Sequence, residues 1–225
     1  MALEIKKASD GAKKNIKMLI YGKSGTKKTR FSTGFLEGAL VLDFEGGLGS
    51  ALNPDIDAFR CKEAGDMAEA LEFLSTDTKY HTVIVDSWYE YCEKLFLALK
   101  ELYPNKADGM NLWGHFDLVV RQRHDQLIAL DKNIITISLQ ETIVTDMIAQ
   151  AHPMMKAKKF KEVIGAKYDL VGHMSYDKSN KRSINFGGTD YATGKNRFEG
   201  KVPNIIEEDE ELFSASKLFE LIQSN

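Results

Sequence analysis

A nine-residue stretch, Tyr21-Gly-Lys-Ser-Gly-Thr-Lys-Lys-Thr29, constrains the fold of this chain more than any other feature. It follows an apolar run and precedes a segment that favours a helix. A strand, a loop matching G-x-x-x-x-G-K-[ST] and a helix, in this order, are typical of a phosphate-binding P-loop. Gly22, Lys28 and Thr29 match that pattern, whereas Lys27 replaces its second glycine. The stretch therefore predicts a P-loop with one departure.

The residue types of this loop suit a nucleoside triphosphate, because converging backbone N–H groups and a lysine neutralise phosphate oxygens. Lys28 is expected to reach the β- and γ-phosphates, and the Thr29 hydroxyl to ligate Mg²⁺. A lysine at position 27 is expected to need a negative φ and a side chain that leaves the loop. The alternative is an ordinary basic turn. The predicted ATP contacts are Gly22, Lys23, Ser24, Gly25, Thr26, Lys27, Lys28, Thr29 and Arg30.

Composition limits the class of protein. A chain of 225 residues, 43% of them hydrophobic, is long enough for one sizeable α/β domain. The formal net charge of −3 gives no overall attraction to nucleic acid, so any such binding must come from local patches. No run approaches membrane-spanning length. The N-terminus is lysine-rich and lacks the apolar core of a signal peptide. Cys61 and Cys92 stand in unrelated contexts and are expected to be buried thiols in a reducing cytoplasm.

Apolar segments alternate with helical ones in the manner of an α/β fold. We expect an α/β P-loop NTPase core with a mostly parallel central sheet, flanking helices and a C-terminal antiparallel extension. The predicted strands are 16–21, 39–44, 81–85 and 133–139, the predicted helices are 28–37, 66–74, 87–102 and 112–130, and the predicted antiparallel strands are 169–176 and 182–186.

Three segments are expected along the chain. Residues 1–14 form a polar leader, residues 15–206 the ATPase core, and residues 207–225 an acidic run with an amphipathic tail helix. The helix is expected over 212–223, because apolar residues there recur at helical spacing.

Polar residues stand where three predicted strands end, which is where open α/β sheets place their chemistry. Asp43 and Glu45 lie two residues apart, and a carboxylate there can activate a water for attack on a γ-phosphate. Asp86 ends an apolar strand and is expected to hold Mg²⁺ opposite Thr29. Gln140 is placed to sense the γ-phosphate. The alternatives are solvated acids, a helix N-cap and a plain strand end.

This ordered set resembles the RecA-type ATPase core. More closely, the chain is similar to short phage-encoded nucleotide-binding or AAA-domain proteins, which are RecA-like recombinases grouped functionally with single-strand annealing proteins. The resemblance covers residues 15–206 and implies that Glu45 is the catalytic base, Asp86 the Walker B acid, and Gln140 the link from ATP to a DNA-binding loop. It is carried by Gly22–Thr29, Asp43-Phe-Glu-Gly-Gly47, Val83-Ile-Val-Asp-Ser87, Leu139-Gln140, Leu112-Trp-Gly-His115, Asp169-Leu-Val-Gly-His-Met174 and Lys195-Asn-Arg197.

The resemblance also implies partners. The region 142–167 would contact single-stranded DNA, and its lysines around one aromatic ring suit backbone tracking and base stacking; a solvated helix face is the alternative. Lys195 and Arg197 would reach the nucleotide of a neighbouring subunit in a ring or filament. The acidic tail would contact a single-strand DNA-binding protein. The predicted DNA-binding residues are Lys156, Lys158, Lys159, Phe160 and Lys161.

The predicted function is therefore an Mg²⁺-dependent ATPase that acts on single-stranded DNA by annealing or strand exchange, in the bacterial host's cytoplasm if the chain is phage-encoded. Lys28, Glu45 and Gln140 are its predicted catalytic residues, and Lys27 is expected to affect hydrolysis more than binding. The alternative is a nucleotide-binding module that switches assembly without hydrolysis. A small-molecule kinase ranks third, because the basic clusters are lysine-dominated and lack an arginine-rich lid.

Overall fold

A central β-sheet with helices on both faces forms the body of the protein. The computed structural model describes residues 15–105, 109–157, 160 and 164–224, so the polar leader 1–14 lies outside the described residues. Within these ranges the strands are β1 Lys17–Gly22, β2 Ala39–Asp43, β3 Asp57–Arg60, β4 Thr82–Asp86, β5 Asn133–Thr145, β6 Ile148–Pro153, β7 Leu170–Tyr176, β8 Arg182–Asn185, β9 Lys195–Asn196 and β10 Ile205–Glu207. The helices are α1 Lys28–Ser32, α2 Asp66–Thr76, α3 Trp88–Leu102, α4 Gly109–Ala129 and α5 Ala215–Gln223.

The strand order across the sheet is β10-β8-β7-β1-β5-β4-β2-β3. The pairs from β7 to β3 are parallel, and β8 and β10 add antiparallel strands at one side. This confirms the predicted α/β class with a mostly parallel sheet and an antiparallel extension.

The central strands are buried on both faces, as their continuous apolar sequences predict. Alternate residues of a strand point to opposite faces. Leu19 and Tyr21 pack with α2, α3 and α4, whereas Met18 and Ile20 pack in a second core that includes α1 and α5. The sheet therefore carries a hydrophobic core on each side.

Helix α1 is shorter than predicted, because it ends at Ser32 rather than at residue 37. The Thr33 amide and hydroxyl both donate to the Thr29 carbonyl, at 3.1 and 2.7 Å. Asn53 then occupies the carbonyls of Thr33 and Phe35, which a longer helix would need for its own hydrogen bonds. The strand 39–44 that follows can therefore return directly to the sheet.

Strand β7 corrects one prediction. The segment 169–176 was expected to be antiparallel, but β7 lies parallel to β1 and is antiparallel only to β8 and β9. Strand β3 was not predicted, because all four of its residues are exposed at the sheet edge and lack an apolar pattern.

The predicted DNA-binding loop begins as a β-hairpin. Strand β5 continues past residue 139 to Thr145 and pairs with β6 in antiparallel register. Asp146 and Met147 form the turn with φ values of 49° and 65°, and two positive φ angles are the signature of a two-residue type I′ hairpin turn. Met147 at the tip is 98% exposed.

The C-terminal segment packs on the body of the protein. Helix α5 begins at Ala215, three residues later than predicted, and lies against α1. The Phe213 and Phe219 rings contact Phe31 and Phe35 at centroid distances of 5.8 and 5.7 Å. The apolar face of the tail helix is thus covered by its own chain.

Both cysteines are buried free thiols, as predicted. Burial raises the pKa of Cys61 to about 12 and also raises the pKa of Cys92, so neither thiol is reactive near neutral pH. Among the described helices, none combines the length and apolar character needed to cross a membrane.

Candidate nucleotide site

The strand register brings most of the predicted site residues to one edge of the sheet. Gly22 at the end of β1 is level with Leu139 on β5 and with Met174 on β7, so Gln140 lies just beyond the start of the P-loop. Asp43 is level with Asp86 on the neighbouring strand. Parallel strands end at the same edge, and the loops that leave it can meet one ligand.

Gly22 is required by the packing of the sheet as well as by the motif. A Cβ atom there would lie 2.2 Å from the Met174 carbonyl oxygen of β7. Gly25 has a φ of 80°, which favours glycine. The Thr26 hydroxyl is buried and donates to the Lys23 carbonyl at 2.9 Å. Around this compact turn, Lys23, Ser24 and Arg30 are exposed.

Lys27 does not adopt the predicted backbone conformation. Its φ is 67° and its ψ is 30°, which is the left-handed region, so the expectation of a negative φ was wrong. The residue keeps the conformation that favours glycine at this position and carries the strain that a Cβ atom brings. Its side chain does leave the loop, because its ammonium group contacts the Glu208 carboxylate at 2.7 Å.

Lys28 is the buried cation of the loop. It is 8% exposed, and its Nζ donates to the Gly22 and Lys23 carbonyls at 3.0 and 2.9 Å. Burial lowers its pKa, whereas the charges of Glu45 and Asp86 raise it. The ammonium group lies inside the loop, and its contact with phosphate stays a prediction.

Thr29 and Asp86 meet as the sequence predicts. The Thr29 hydroxyl donates to Asp86 Oδ2 at 2.7 Å, while the buried Oδ1 has no hydrogen-bond partner among the described residues. Burial raises the pKa of Asp86 to about 6. A buried carboxylate oxygen without a donor, next to a hydroxyl group, is a suitable ligand set for Mg²⁺. The described residues hold no cluster of three or more His, Cys, Asp or Glu ligands.

Asp43 and Glu45 have different environments. Asp43 is buried; it accepts a hydrogen bond from the Gly46 amide at 2.6 Å and pairs with the Arg60 guanidinium at 3.0 Å. The exposed Glu45 is anchored through its amide, which donates to the Asp86 carbonyl at 3.2 Å. Its charge also acts on Lys28 and Asp86. Asp43 therefore stabilises the turn that follows β2. Glu45 is the exposed acid of the pair, which water can reach.

Gln140 contacts a histidine that the sequence did not single out. Its Oε1 atom lies 3.0 Å from His173 Nε2, and the His173 ring packs on Tyr21 with centroids 5.0 Å apart. Because an amide oxygen can only accept, His173 donates from Nε2. Burial lowers the pKa of His173 below its usual value, and so does the charge of Lys23. Neutral His173 thus fixes the orientation of Gln140. The sequence signal for His173 was its place in the motif Asp169-Leu-Val-Gly-His-Met174, to which no role was assigned residue by residue.

A cavity of about 220 Å³ lies between the P-loop and the β5–β6 hairpin. Gln140 and His173 line it together with Lys23, Thr26 and Tyr191. The site therefore continues from the phosphate loop to the base of the hairpin. A larger cavity of about 870 Å³ lies between α2 and α4 and is lined by none of the predicted site residues; its Lys132 is held by Asp77 and by backbone carbonyls.

Lys195 and Arg197 lie at the other end of β7 from the P-loop. Strand β9 pairs with the first residues of β7, whereas Met174 near its far end is level with Gly22. Lys195 Nζ donates to the Gly165 carbonyl at 2.9 Å, and Arg197 pairs with the buried Asp169 at 3.1 Å. Their action on a neighbouring subunit stays a prediction.

The predicted DNA-binding cluster is only partly described. Lys158, Lys159 and Lys161 lie outside the described residues. Lys156 pairs with Glu93 at 2.7 Å. Phe160 is 2% exposed and packs against His124 at 4.8 Å between ring centroids. A base cannot stack on this ring as it stands, so the prediction for Phe160 is corrected: its apolar surface belongs to the core.

A parallel sheet whose first strand leads into a loop with a buried lysine, followed by a threonine paired with a strand-end aspartate, defines a P-loop NTPase-type domain. The chain belongs to the AAA domain family, because the sequence profile of that family matches residues 14–198. A comparison with curated proteins gave no match.

Proposed function

We propose that this protein binds and hydrolyses ATP with Mg²⁺, and that it acts on single-stranded DNA as a recombination protein. The observation that carries the nucleotide part is the Thr29–Asp86 pair beside the P-loop lysine, in which one buried carboxylate oxygen has no donor within the described part of the chain. Membership of the AAA domain family supports it. The DNA part rests on the resemblance to phage recombinases.

Each residue has a chemical role in this proposal. Lys28 and the loop amides neutralise the phosphates, and Thr29 and Asp86 hold Mg²⁺, which supplies positive charge to the leaving group. Glu45 takes a proton from the attacking water as its oxygen bonds to the γ-phosphorus. The bond from that phosphorus to the bridging oxygen breaks, and ADP and phosphate are released. The exposure of Glu45 supports this role, because water can reach it.

The first experiment measures ATP binding and hydrolysis in single variants. Glu45→Gln is expected to lower hydrolysis about 100-fold or more while ATP still binds, because a general base contributes that much to rate. Lys28→Ala is expected to abolish ATP binding and not only hydrolysis. Glu37→Gln, which changes an exposed acid between α1 and β2, is the matched control and should keep full activity. Unchanged hydrolysis in Glu45→Gln would remove Glu45 from its role.

The coupling to DNA is proposed to run from Gln140 to the β5–β6 hairpin, since both belong to one strand. In the hairpin, Val144, Met147 and Ile148 are exposed apolar side chains that can contact bases. Adding single-stranded DNA should therefore stimulate ATP hydrolysis, and duplex DNA of the same length serves as the control. No stimulation by single strands would contradict this part.

A second candidate function is a nucleotide switch that assembles without turnover. The strained backbone of Lys27, at the position of the second P-loop glycine, favours it. Tight Mg-ATP binding with no phosphate release, even on DNA, would select it.

In either case Lys195 and Arg197 are proposed to act across subunits of a ring or filament. Electron microscopy with single-stranded DNA and a non-hydrolysable ATP analogue tests that assembly.

A further inference from the structure

The P-loop has an acidic contact that comes from the C-terminal end of the described chain. Glu208 Oε1 accepts a hydrogen bond from Lys27 Nζ at 2.7 Å, across 181 positions of sequence. Glu208 lies beyond residue 198, where the match to the AAA domain family ends. The contact therefore joins the one unusual residue of the P-loop to a segment that the family profile does not include.

Glu208 is itself firmly placed. Its carboxylate accepts two further hydrogen bonds from Arg182, at 3.0 and 3.2 Å. Its amide donates to the Arg182 carbonyl at 2.9 Å. Two residues earlier, the buried Ile206 pairs with Ile184 between β10 and β8. The Glu208 carboxylate is thus held by contacts to the sheet, and the Lys27 side chain, which is more exposed, extends to it.

The backbone conformation of Lys27 gives its side chain a need for a fixed partner such as Glu208. Its left-handed conformation is unfavourable for a residue with a Cβ atom, and glycine in this place would adopt it freely. A lysine without a partner would also be free to turn its ammonium group into the loop or to relax to a negative φ. Either change would alter the amides that face the phosphates.

We propose that Glu208 is a positioning residue of the nucleotide site: it holds the Lys27 side chain outside the loop and so keeps the backbone in the conformation that a glycine would adopt. The part that concerns nucleotide rests on the proposed function. A competing role for Glu208 is that of an inhibitor that withholds Lys27 from the phosphates. The two roles predict opposite changes in nucleotide affinity. Removal of a positioning residue weakens nucleotide binding, whereas removal of an inhibitor strengthens it.

A double-mutant cycle tests the proposal with Lys27→Gly, Glu208→Ala and the combined variant. Binding of Mg²⁺ with ATPγS is measured by calorimetry, and the thermal midpoint is measured without nucleotide. Glu208→Ala is expected to weaken binding about two- to fivefold when Lys27 is present, in the range of a partly exposed ion pair, and to have no effect on binding in the Lys27→Gly chain. Glu207→Ala is the control, because Glu207 pairs with Lys181 in the same acidic run.

The thermal midpoints give a second readout. Glu208→Ala removes the partner of Arg182 in both backgrounds, so both midpoints should fall, and the fall should be larger when Lys27 is present. If Glu208→Ala does not fold, Glu208→Gln replaces it in the same cycle.

Equal losses in the two backgrounds, or tighter binding after Glu208→Ala, would overturn the proposal. A wild-type chain that binds no nucleotide would instead contradict the proposed function. The nucleotide-free cycle still decides in that case whether Glu208 holds Lys27.

Discussion

Asp86 is a buried side chain whose negative charge is unfavourable in its surroundings. Its carboxylate accepts a hydrogen bond from Thr29 through Oδ2, and Oδ1 has no hydrogen-bond partner among the described residues. Its pKa of about 6 lies above the ordinary value of 3.8, chiefly because of burial. The folded state therefore binds a proton more tightly than the unfolded state does. The stability that protonated Asp86 contributes is present below about pH 4 and is lost as the pH rises through about 6.

We therefore predict that Asp86→Asn stabilises the nucleotide-free protein at pH 8 by up to about 3 kcal/mol, because two pKa units correspond to that free energy. The gain should shrink toward pH 4. Urea unfolding of the wild type and the variant at both pH values measures it. Asp55→Asn, at an exposed position, should show no comparable gain. Asp86→Asn is also expected to lose Mg²⁺ binding. If Asp86→Asn and the wild type were equally stable at pH 8, the interpretation of Asp86 as an unfavourable buried charge would be contradicted.

At the scale of elements, the β5–β6 hairpin combines regular pairing with an unfavourable tip. Its two-residue turn favours glycine or asparagine in its second position, yet Met147 occupies it with a φ of 65°. The side chain is 98% exposed and so gains nothing from burial. Met147 therefore lowers the stability of the fold without burying apolar surface. A binding role at the tip would explain such a residue.

Met147→Gly is predicted to stabilise the protein by about 1 kcal/mol, because glycine removes the left-handed strain. Met147→Ala is the matched control: it shortens the side chain but keeps the strain, so its free energy of unfolding should equal that of the wild type. Denaturant titrations of the three proteins make the comparison. If glycine and alanine behave alike, turn strain is not the cause. Under the proposed function, both variants should also weaken binding to single-stranded DNA.

On the scale of the whole molecule, the sheet joins segments that are far apart in sequence. The P-loop, the acid at the end of β4 and the apolar strands were predictable, because each is encoded within about ten neighbouring residues. The contacts that complete the site were not. His173 reaches Gln140 because β7 and β5 both flank β1, and Glu208 reaches Lys27 across the width of β8 and β7. Short-range periodicity carries no information about such pairings. The positive φ of Lys27 was missed for a different reason: the local preference of a residue with a Cβ atom is for a negative φ, and Lys27 does not follow it.

The C-terminal helix is predicted to be an integral part of the fold. Phe219 is 2% exposed and contacts Phe35, so Phe219→Ala should lower the free energy of unfolding by about 3 kcal/mol or more through cavity formation. Glu220→Ala, on the exposed side of the same helix, should change it by less than about 0.5 kcal/mol. Urea unfolding followed by fluorescence measures both. A small effect of Phe219→Ala would indicate that residues 207–224 form a separable unit.

The cover that α5 places over α1 has a consequence for the order in which the protein matures. Translation produces the phosphate loop first, when neither Glu208 nor Phe219 exists to hold Lys27 or to shield Phe31 and Phe35. A nascent chain that has reached only β5 therefore carries every residue of the phosphate loop but lacks the C-terminal side chains that contact Lys27, Phe31 and Phe35. The Lys27–Glu208 pair and the contact of Phe35 with Phe219 can therefore form only after the chain has been translated through α5.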